Sequence, residues 1–278
     1  MSVFSYQGID LHYDIHGDIH GDIHGDIHGE REPLLLLTGL GYGAWCWYEQ
    51  VPVLSREYRT IALDNRGAGR SDVPPGPYTI PQMAADAEAL LDHLKIDAAH
   101  VLGLSLGGFI AQELVLAAPE RVKSLVLGCT SSGGPRAVLM SPDDLERFRQ
   151  EAAEGFSVEV CRRGLDLRFS AEFIEREAAV LDDFVARRVR NVSSMVGWRA
   201  QVSASWSFDA EARVGQIQCP TLVITGRDDR IVPAVNSRSL SERIPGAQLV
   251  VLPGGHLFFI ERAREFNECV LDFLRASR

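Results

Sequence analysis

Ala99-His100-Val101-Leu102-Gly103-Leu104-Ser105-Leu106-Gly107-Gly108-Phe109 decides how this chain is read. An apolar run over 99–102 leads into Gly103-Leu104-Ser105-Leu106-Gly107, and a helix-like run over 109–118 follows. A G-x-S-x-G pentapeptide between strand and helix presents its serine on a sharp turn. The hydroxyl then stands at the C-terminal edge of a sheet, facing a cleft. The glycines fit because such a turn is tight and its neighbours come close. The pentapeptide alone would equally suit a glycine-rich turn with a capping serine. The strand before it and the helix after it make Ser105 a candidate nucleophile.

A serine hydroxyl is a weak nucleophile at neutral pH and needs a base. Of the eight histidines, seven precede Ser105 and only His256 follows it. A serine on this turn belongs to the chain order serine, acid, histidine, so His256 is the candidate base. Leu249-Val250-Val251-Leu252 reads as a strand and Pro253-Gly254-Gly255-His256 as the loop at its end. An amphipathic helix through Phe266, Val270 and Leu274 comes next. The third member is a carboxylate that fixes the histidine tautomer and stabilises the imidazolium. Pro220-Thr221-Leu222-Val223-Ile224-Thr225 reads as a strand ending in Gly226-Arg227-Asp228-Asp229. Two adjacent aspartates therefore compete, and their side chains cannot both point the same way. The other one is expected in solvent or on local amides.

These residues and further stretches resemble the α/β-hydrolase fold family, in the ester-hydrolase branch that includes 3-oxoadipate enol-lactonases. Thr38-Gly39-Leu40-Gly41 stands where the family has His-Gly-x-Gly, and Asp64-Asn65-Arg66-Gly67-Ala68-Gly69-Arg70-Ser71 matches its D-x-R-G-x-G-x-S loop. Gly226-x-x-Asp229 with Pro233 matches the acid loop, and Gly255-His256 with Glu261 and Phe266-Asn267 matches the histidine loop. The resemblance runs from about residue 33 to the C-terminus and is weakest across about 135–210.

The resemblance implies a triad of Ser105, Asp229 and His256, selecting Asp229 over Asp228. It implies an oxyanion hole formed by the amides of Leu40 and Leu106. Such donors are worth about 2.7–4 kcal/mol each. It implies hydrolysis without metal or cofactor. Thr38 departs from the family's histidine, which supports the oxyanion loop without doing chemistry, so the loop's shape is open while the hole is expected. Arg66 reads as a structural guanidinium holding its loop behind the site.

Strands and helices alternate along the chain. Strands are expected at Val3-Phe4, over 11–15, at Leu34-Leu35-Leu36-Leu37, over 60–63 and over 122–127. The run of four leucines suits a strand buried on both faces. A helix over 83–94 is started by Thr79 and Pro81. This alternation implies a mostly parallel sheet with helices on both faces and an antiparallel edge at its start.

The rhythm breaks over 135–210, which is charged and helical, with Ser141-Pro142-Asp143-Asp144 starting one helix and 172–189 holding another. The core is then 1–134 and 211–278. By resemblance 135–210 is a helical cap, which closes the cleft and shapes substrate choice. Phe148, Phe156, Phe169, Met195, Trp198 and Trp206 are its candidate pocket-lining residues, and packing within the cap is their alternative role. Trp45 and Trp47, just after the oxyanion loop, are candidates of the same kind.

Asp14-Ile15-His16-Gly17 occurs four times in succession, through Gly29. Glycine at every fourth place opposes a helix. In an extended chain Asp and His share one face and Ile and Gly the other. Such a ribbon extends the first hairpin or pairs with another copy. Successive histidines on one strand stand about 13 Å apart, too far to share an ion without a second strand. The repeat is read as serving assembly into a homo-oligomer, not catalysis.

At 278 residues the chain is one large domain, or a domain with a lid. A net charge of −10 argues against nucleic acid and anionic membranes as partners. No apolar run approaches the 18 or so residues of a membrane span, and the first ten residues lack the pattern of a signal peptide. Cys46, Cys129, Cys161, Cys219 and Cys269 are odd in number and without metal-type spacing, as in a reducing cytoplasm. The expected activity is serine hydrolysis of a small carboxylic ester or lactone. Carbon–carbon hydrolysis of ring-cleavage products shares the triad. A ligand receptor on the same fold is the alternative outside catalysis.

Overall fold

The computed structural model describes residues 2–17 and 31–277. Its strands are β1 (Ser2–Tyr6), β2 (Ile9–His16), β3 (Pro33–Leu37), β4 (Arg59–Leu63), β5 (Ala99–Leu104), β6 (Val122–Gly128), β7 (Thr221–Gly226) and β8 (Gln248–Leu252). They form one sheet in the order β1-β2-β4-β3-β5-β6-β7-β8. The pairs β1–β2 and β2–β4 are antiparallel, and the remaining pairs are parallel.

Alternation within strands splits the core into two layers. Leu35 and Leu37 of β3 pack with the helices Ile80–His93 and Leu106–Ala117 on one face. Leu34 and Leu36 pack on the other face with the helix Ala263–Ala276. Period-two side chains on a strand covered on both sides read as an unbroken apolar run. The helix Ile80–His93 begins where Thr79 accepts a hydrogen bond from the Gln82 amide, with Pro81 in its first turn.

Between β6 and β7 the chain runs through the helices Pro142–Glu154, Val158–Arg163, Leu165–Arg168, Ala171–Arg176, Ala178–Arg190 and Met195–Ser207. The single helix expected over 172–189 is two. Glu177 (φ −116°, ψ 44°) separates them. No glycine or proline marks the break. The first piece lays Phe173 against Phe169 at 5.4 Å, and the second turns to bury Leu181, Phe184 and Val185. Packing of the two pieces onto different neighbours overrides continuous helix propensity.

The first repeat unit ends β2. Asp14, Ile15 and His16 pair with Ala62, Ile61 and Thr60 of β4. Ile15 packs on the core, Asp14 pairs with Arg70 at 2.8 Å, and His16 is exposed. Gly17 has φ +87°, and a Cβ there would stand 2.6 Å from the carbonyls of Ser55 and Tyr58. The other units, residues 18–29, lie outside the described residues, and with them the expectation that the repeat serves assembly. No helix among the described residues is long and apolar enough to cross a membrane.

Candidate active site

Ser105 sits between β5 and the helix Leu106–Ala117 with φ 53° and ψ −115°. A β-carbon in such a conformation costs about 1–3 kcal/mol, so the surroundings must hold it. They do so on both sides of the residue. The Ser105 amide donates to Gly128 O at 2.8 Å, and its carbonyl accepts from the Gly108 amide at 2.9 Å and Thr130 Oγ1 at 2.9 Å. The flanking glycines are steric necessities: a Cβ on Gly103 would stand 2.2 Å from Gly107 O, and one on Gly107 would stand 2.1 Å from Leu37 O. The turn can be this tight only without them.

His256 Nδ1 lies 2.8 Å from Asp229 Oδ2. A carboxylate only accepts, so Nδ1 donates and Nε2 is left for another partner. Asp229 Oδ1 accepts from the amides of Ile231 and Val232, each at 2.8 Å. The Asp229 side chain is fully buried and that of His256 nearly so. Asp228 faces the other way, half exposed and 3.5 Å from Arg227. Of the two aspartates, the structure brings Asp229 to the histidine. Both loops are moored to the helical segment. Glu261 accepts from the Gly255 amide at 2.7 Å and from Ser170 Oγ at 2.6 Å, while Arg230 pairs with Asp144.

Ser105 and His256 line one wall of a chamber of about 970 Å³, counting its space open to solvent. A second chamber of about 920 Å³ also has Ser105 in its lining. Leu40, Ser105, Phe148 and Ile231 line both. The amides of Leu40 and Leu106 donate to no protein acceptor among the described residues. For Leu106 the reason is general, since the first amides of a helix have no partner within it.

The two chambers differ in chemistry. The first holds Glu151, Arg168 and Arg188 among aromatic and aliphatic side chains. Arg168 pairs with Glu151 at 2.8 Å. Arg188, 5% exposed, lies over the rings of Tyr42 and Phe156 at 4.2 and 4.4 Å and donates to Gly41 O. Burial, with Arg168 beside it, pushes the Arg188 guanidinium below its ordinary pKa. Burial likewise pushes the Cys46 and Cys129 thiols in this chamber well up, so they pack there as neutral groups. The second chamber has no charged side chain in its lining, with Leu106, Phe109, Leu139, Val202, Trp206 and Phe208 on its walls.

Of the pocket residues expected from the sequence, Phe148, Phe156 and Trp198 line the first chamber and Phe148 and Trp206 the second. Trp45 and Phe169 line neither, and the expectation that they touch substrate is corrected here. Trp45 packs on Tyr42 and Phe184, and Phe169 on Phe173 and Phe184. They form the layer behind the wall. Arg168, Arg188 and Glu151 were not expected there, because charged residues on helices read as a solvated face. Arg66 and Asp86 form a buried bidentate pair at 2.5 and 2.6 Å, behind the site. Among the described residues no three His, Cys, Asp or Glu side chains converge as a metal site.

A family model described as the alpha/beta hydrolase fold matches residues 32–263. A candidate carbamate hydrolase, RutD, from Azorhizobium caulinodans is 35% identical over 243 residues, which are 87% of this chain and 90% of that one. A poly(3-hydroxyalkanoate) depolymerase from Ectopseudomonas oleovorans is 32% identical over 251 residues, 88% of this chain and 85% of its own. Among solved structures, the enol-lactonase of Burkholderia xenovorans aligns with a TM-score of 0.84 at 32% identity, covering 99% of this chain and all of that one.

Proposed function

This chain belongs to the alpha/beta hydrolase fold family, and on that premise we propose that it is a serine hydrolase of small carboxylic esters or lactones. The observation that carries the reading is the His256–Asp229 pair at 2.8 Å, whose histidine lines the same chamber as the strained Ser105. Leu40 and Leu106, whose amides meet no protein acceptor among the described residues, line a chamber together with the serine, as charge developing on a carbonyl oxygen requires.

The steps follow from that arrangement. Ser105 Oγ attacks the ester carbonyl while His256 Nε2 takes its proton. The carbonyl oxygen becomes an oxyanion held by the amides of Leu40 and Leu106. The C–O bond to the leaving group breaks, and the imidazolium returns the proton to the departing alkoxide. Water then attacks the acyl-enzyme, His256 takes a proton from it, and the acid leaves as Ser105 regains its hydrogen. Asp229 holds the imidazole in the tautomer that each step needs and stabilises its charged form. The helices between β6 and β7 act as a cap over the cleft, and the apolar part of the substrate occupies the chamber beside Trp206.

The five free cysteines suit a reducing cytoplasm. The test compares wild type with Ser105→Ala on p-nitrophenyl esters of increasing acyl length and on several lactones. Turnover that the mutation abolishes supports the reading. A wild type that turns over none of them overturns it, and a ring-cleavage dienoate becomes the next substrate to try.

A further inference from the structure

The peptide units around Gly41 are gripped from one side by the helical segment. Gly41 N–H donates to Gln201 Oε1 at 2.8 Å, and Gly41 O accepts from Ser193 Oγ at 2.9 Å and from Arg188 Nη1. All three side chains are buried: Gln201 fully, Ser193 at 2% exposure and Arg188 at 5%. All three come from chain about 150 residues away, beyond β6. Gly41 itself has φ +66°, and a Cβ there would stand 2.6 Å from Trp198 Cδ1, so the helix Met195–Ser207 lies directly on the loop.

The docking of that helix explains why Gln201 reaches so well. Gly197 packs on Gly67 backbone to backbone, since a Cβ on Gly197 would stand 2.1 Å from Gly67 O. Gln201, four residues on, lies on the same helix face one turn further along. From there its amide nitrogen donates to Arg66 O at 2.8 Å while its oxygen takes the Gly41 amide. One side chain thus ties the loop before β4 to the loop after it. On the loop's inner side Thr38 Oγ1 donates to Tyr42 O at 2.8 Å, and Asn65 Nδ2 donates to Thr38 O at 3.2 Å.

We propose that Gln201, Ser193 and Arg188 are positioning residues for the oxyanion hole, fixing Gly41 so that the Leu40 amide one residue earlier points at the reacting carbonyl. The proposal rests on the serine-hydrolase reading and adds to it that the hole is complete only when the helical segment is docked. Thr38 stands where the family has histidine, and its hydroxyl holds Tyr42 O while the helical segment holds Gly41. A misaligned donor loses most of its worth, because electrostatic stabilisation in a dry site depends on preorganised geometry.

The test uses the full chain with p-nitrophenyl butyrate and a boronic acid that forms a tetrahedral adduct on Ser105. Gln201→Met is expected to lower kcat by about 30- to 100-fold with KM changed less than about threefold, and to weaken boronate binding in step with kcat. Ser193→Ala, which removes one bond of the clamp, is expected to lower kcat about five- to tenfold, and Ser193→Thr to restore it to within about twofold. Circular dichroism checks that each variant is folded. Should Gln201→Met fail to fold, the Ser193 pair decides alone.

Folded variants with unchanged kcat and boronate affinity overturn the proposal and leave the hydrolase reading intact. A rise confined to KM also overturns it, because that reports substrate contact. A wild type that neither turns over ester nor binds boronate overturns both together.

Discussion

Two serine–histidine–carboxylate constellations occupy opposite ends of the same sheet. At the C-terminal end are Ser105, His256 and Asp229. Near the N-terminal end Ser124 Oγ lies 2.7 Å from His100 Nδ1, and Glu32 lies 3.6 Å from His100 Nε2. By residue type and spacing the second set would pass for a triad. It differs in backbone and access. Ser124 and His100 are cross-strand neighbours in β6 and β5, fully buried, with the Tyr58 ring edge-on to the imidazole at 5.5 Å. Ser105 stands on a left-handed turn where the strand has ended and two chambers open. Three residues become a candidate catalytic set only where a substrate carbonyl can reach them and amides await its oxygen. In mid-strand every amide is committed to the ladder.

The contrast breaks most decisively at the serines. Ser105→Ala is expected to lower turnover of p-nitrophenyl butyrate by at least about 10⁴-fold in steady-state assays, whereas Ser124→Ala leaves kcat within about twofold. Loss of activity in both would erase the distinction. The acids come next. Asp229→Asn is expected to lower kcat by about 10³–10⁴-fold through the wrong histidine tautomer, and Asp228→Asn by less than about threefold.

Smaller effects belong to the buried set and concern stability. Ser124→Ala removes the buried hydroxyl 2.7 Å from His100 Nδ1 and is expected to cost about 1–3 kcal/mol in urea unfolding. Glu32 gives the smallest effect and a pH dependence. The bond from Lys123 at 2.8 Å holds its carboxyl below the ordinary value, against partial burial. A depressed carboxyl contributes stability above its unfolded pKa of about 4.3, and that contribution is lost as pH falls through the folded value. Glu32→Gln should therefore flatten the acid limb of stability against pH, with less than about 1 kcal/mol at neutral pH. An unchanged acid limb would show that the Lys123 pair does not couple to folding.

Much of the site was legible because it is local. Gly103 and Gly107 mark two positions in the turn where no β-carbon fits, and the neighbouring carbonyls show why. The order of Ser105, Asp229 and His256 in the chain left one histidine. The choice of pocket walls matched the chambers only in part. Trp45 and Phe169 are large and apolar, and the property that made them candidates equally suits the layer behind the wall, where they lie. Arg188 and Gln201 carried no sequence signal, because a polar residue on a charged helix looks the same whether it faces water or a buried peptide. The charged segment from Pro142 onward holds three loops of the site: the acid loop through Asp144 and Arg230, the histidine loop through Ser170 and Glu261, and the Gly41 loop through Gln201.

By itself the sequence determined the parallel sheet, the turn that raises Ser105 and the histidine that can serve it. Each depends on short-range rules of apolar periodicity, glycine sterics and chain order. The tertiary structure decided which side chains meet across about 150 residues at Gly41, which chamber has charged side chains in its lining, and which aromatic rings line the two chambers. Those contacts arise where separate helices dock, and docking depends on the shapes of whole surfaces, which no local pattern of residues encodes.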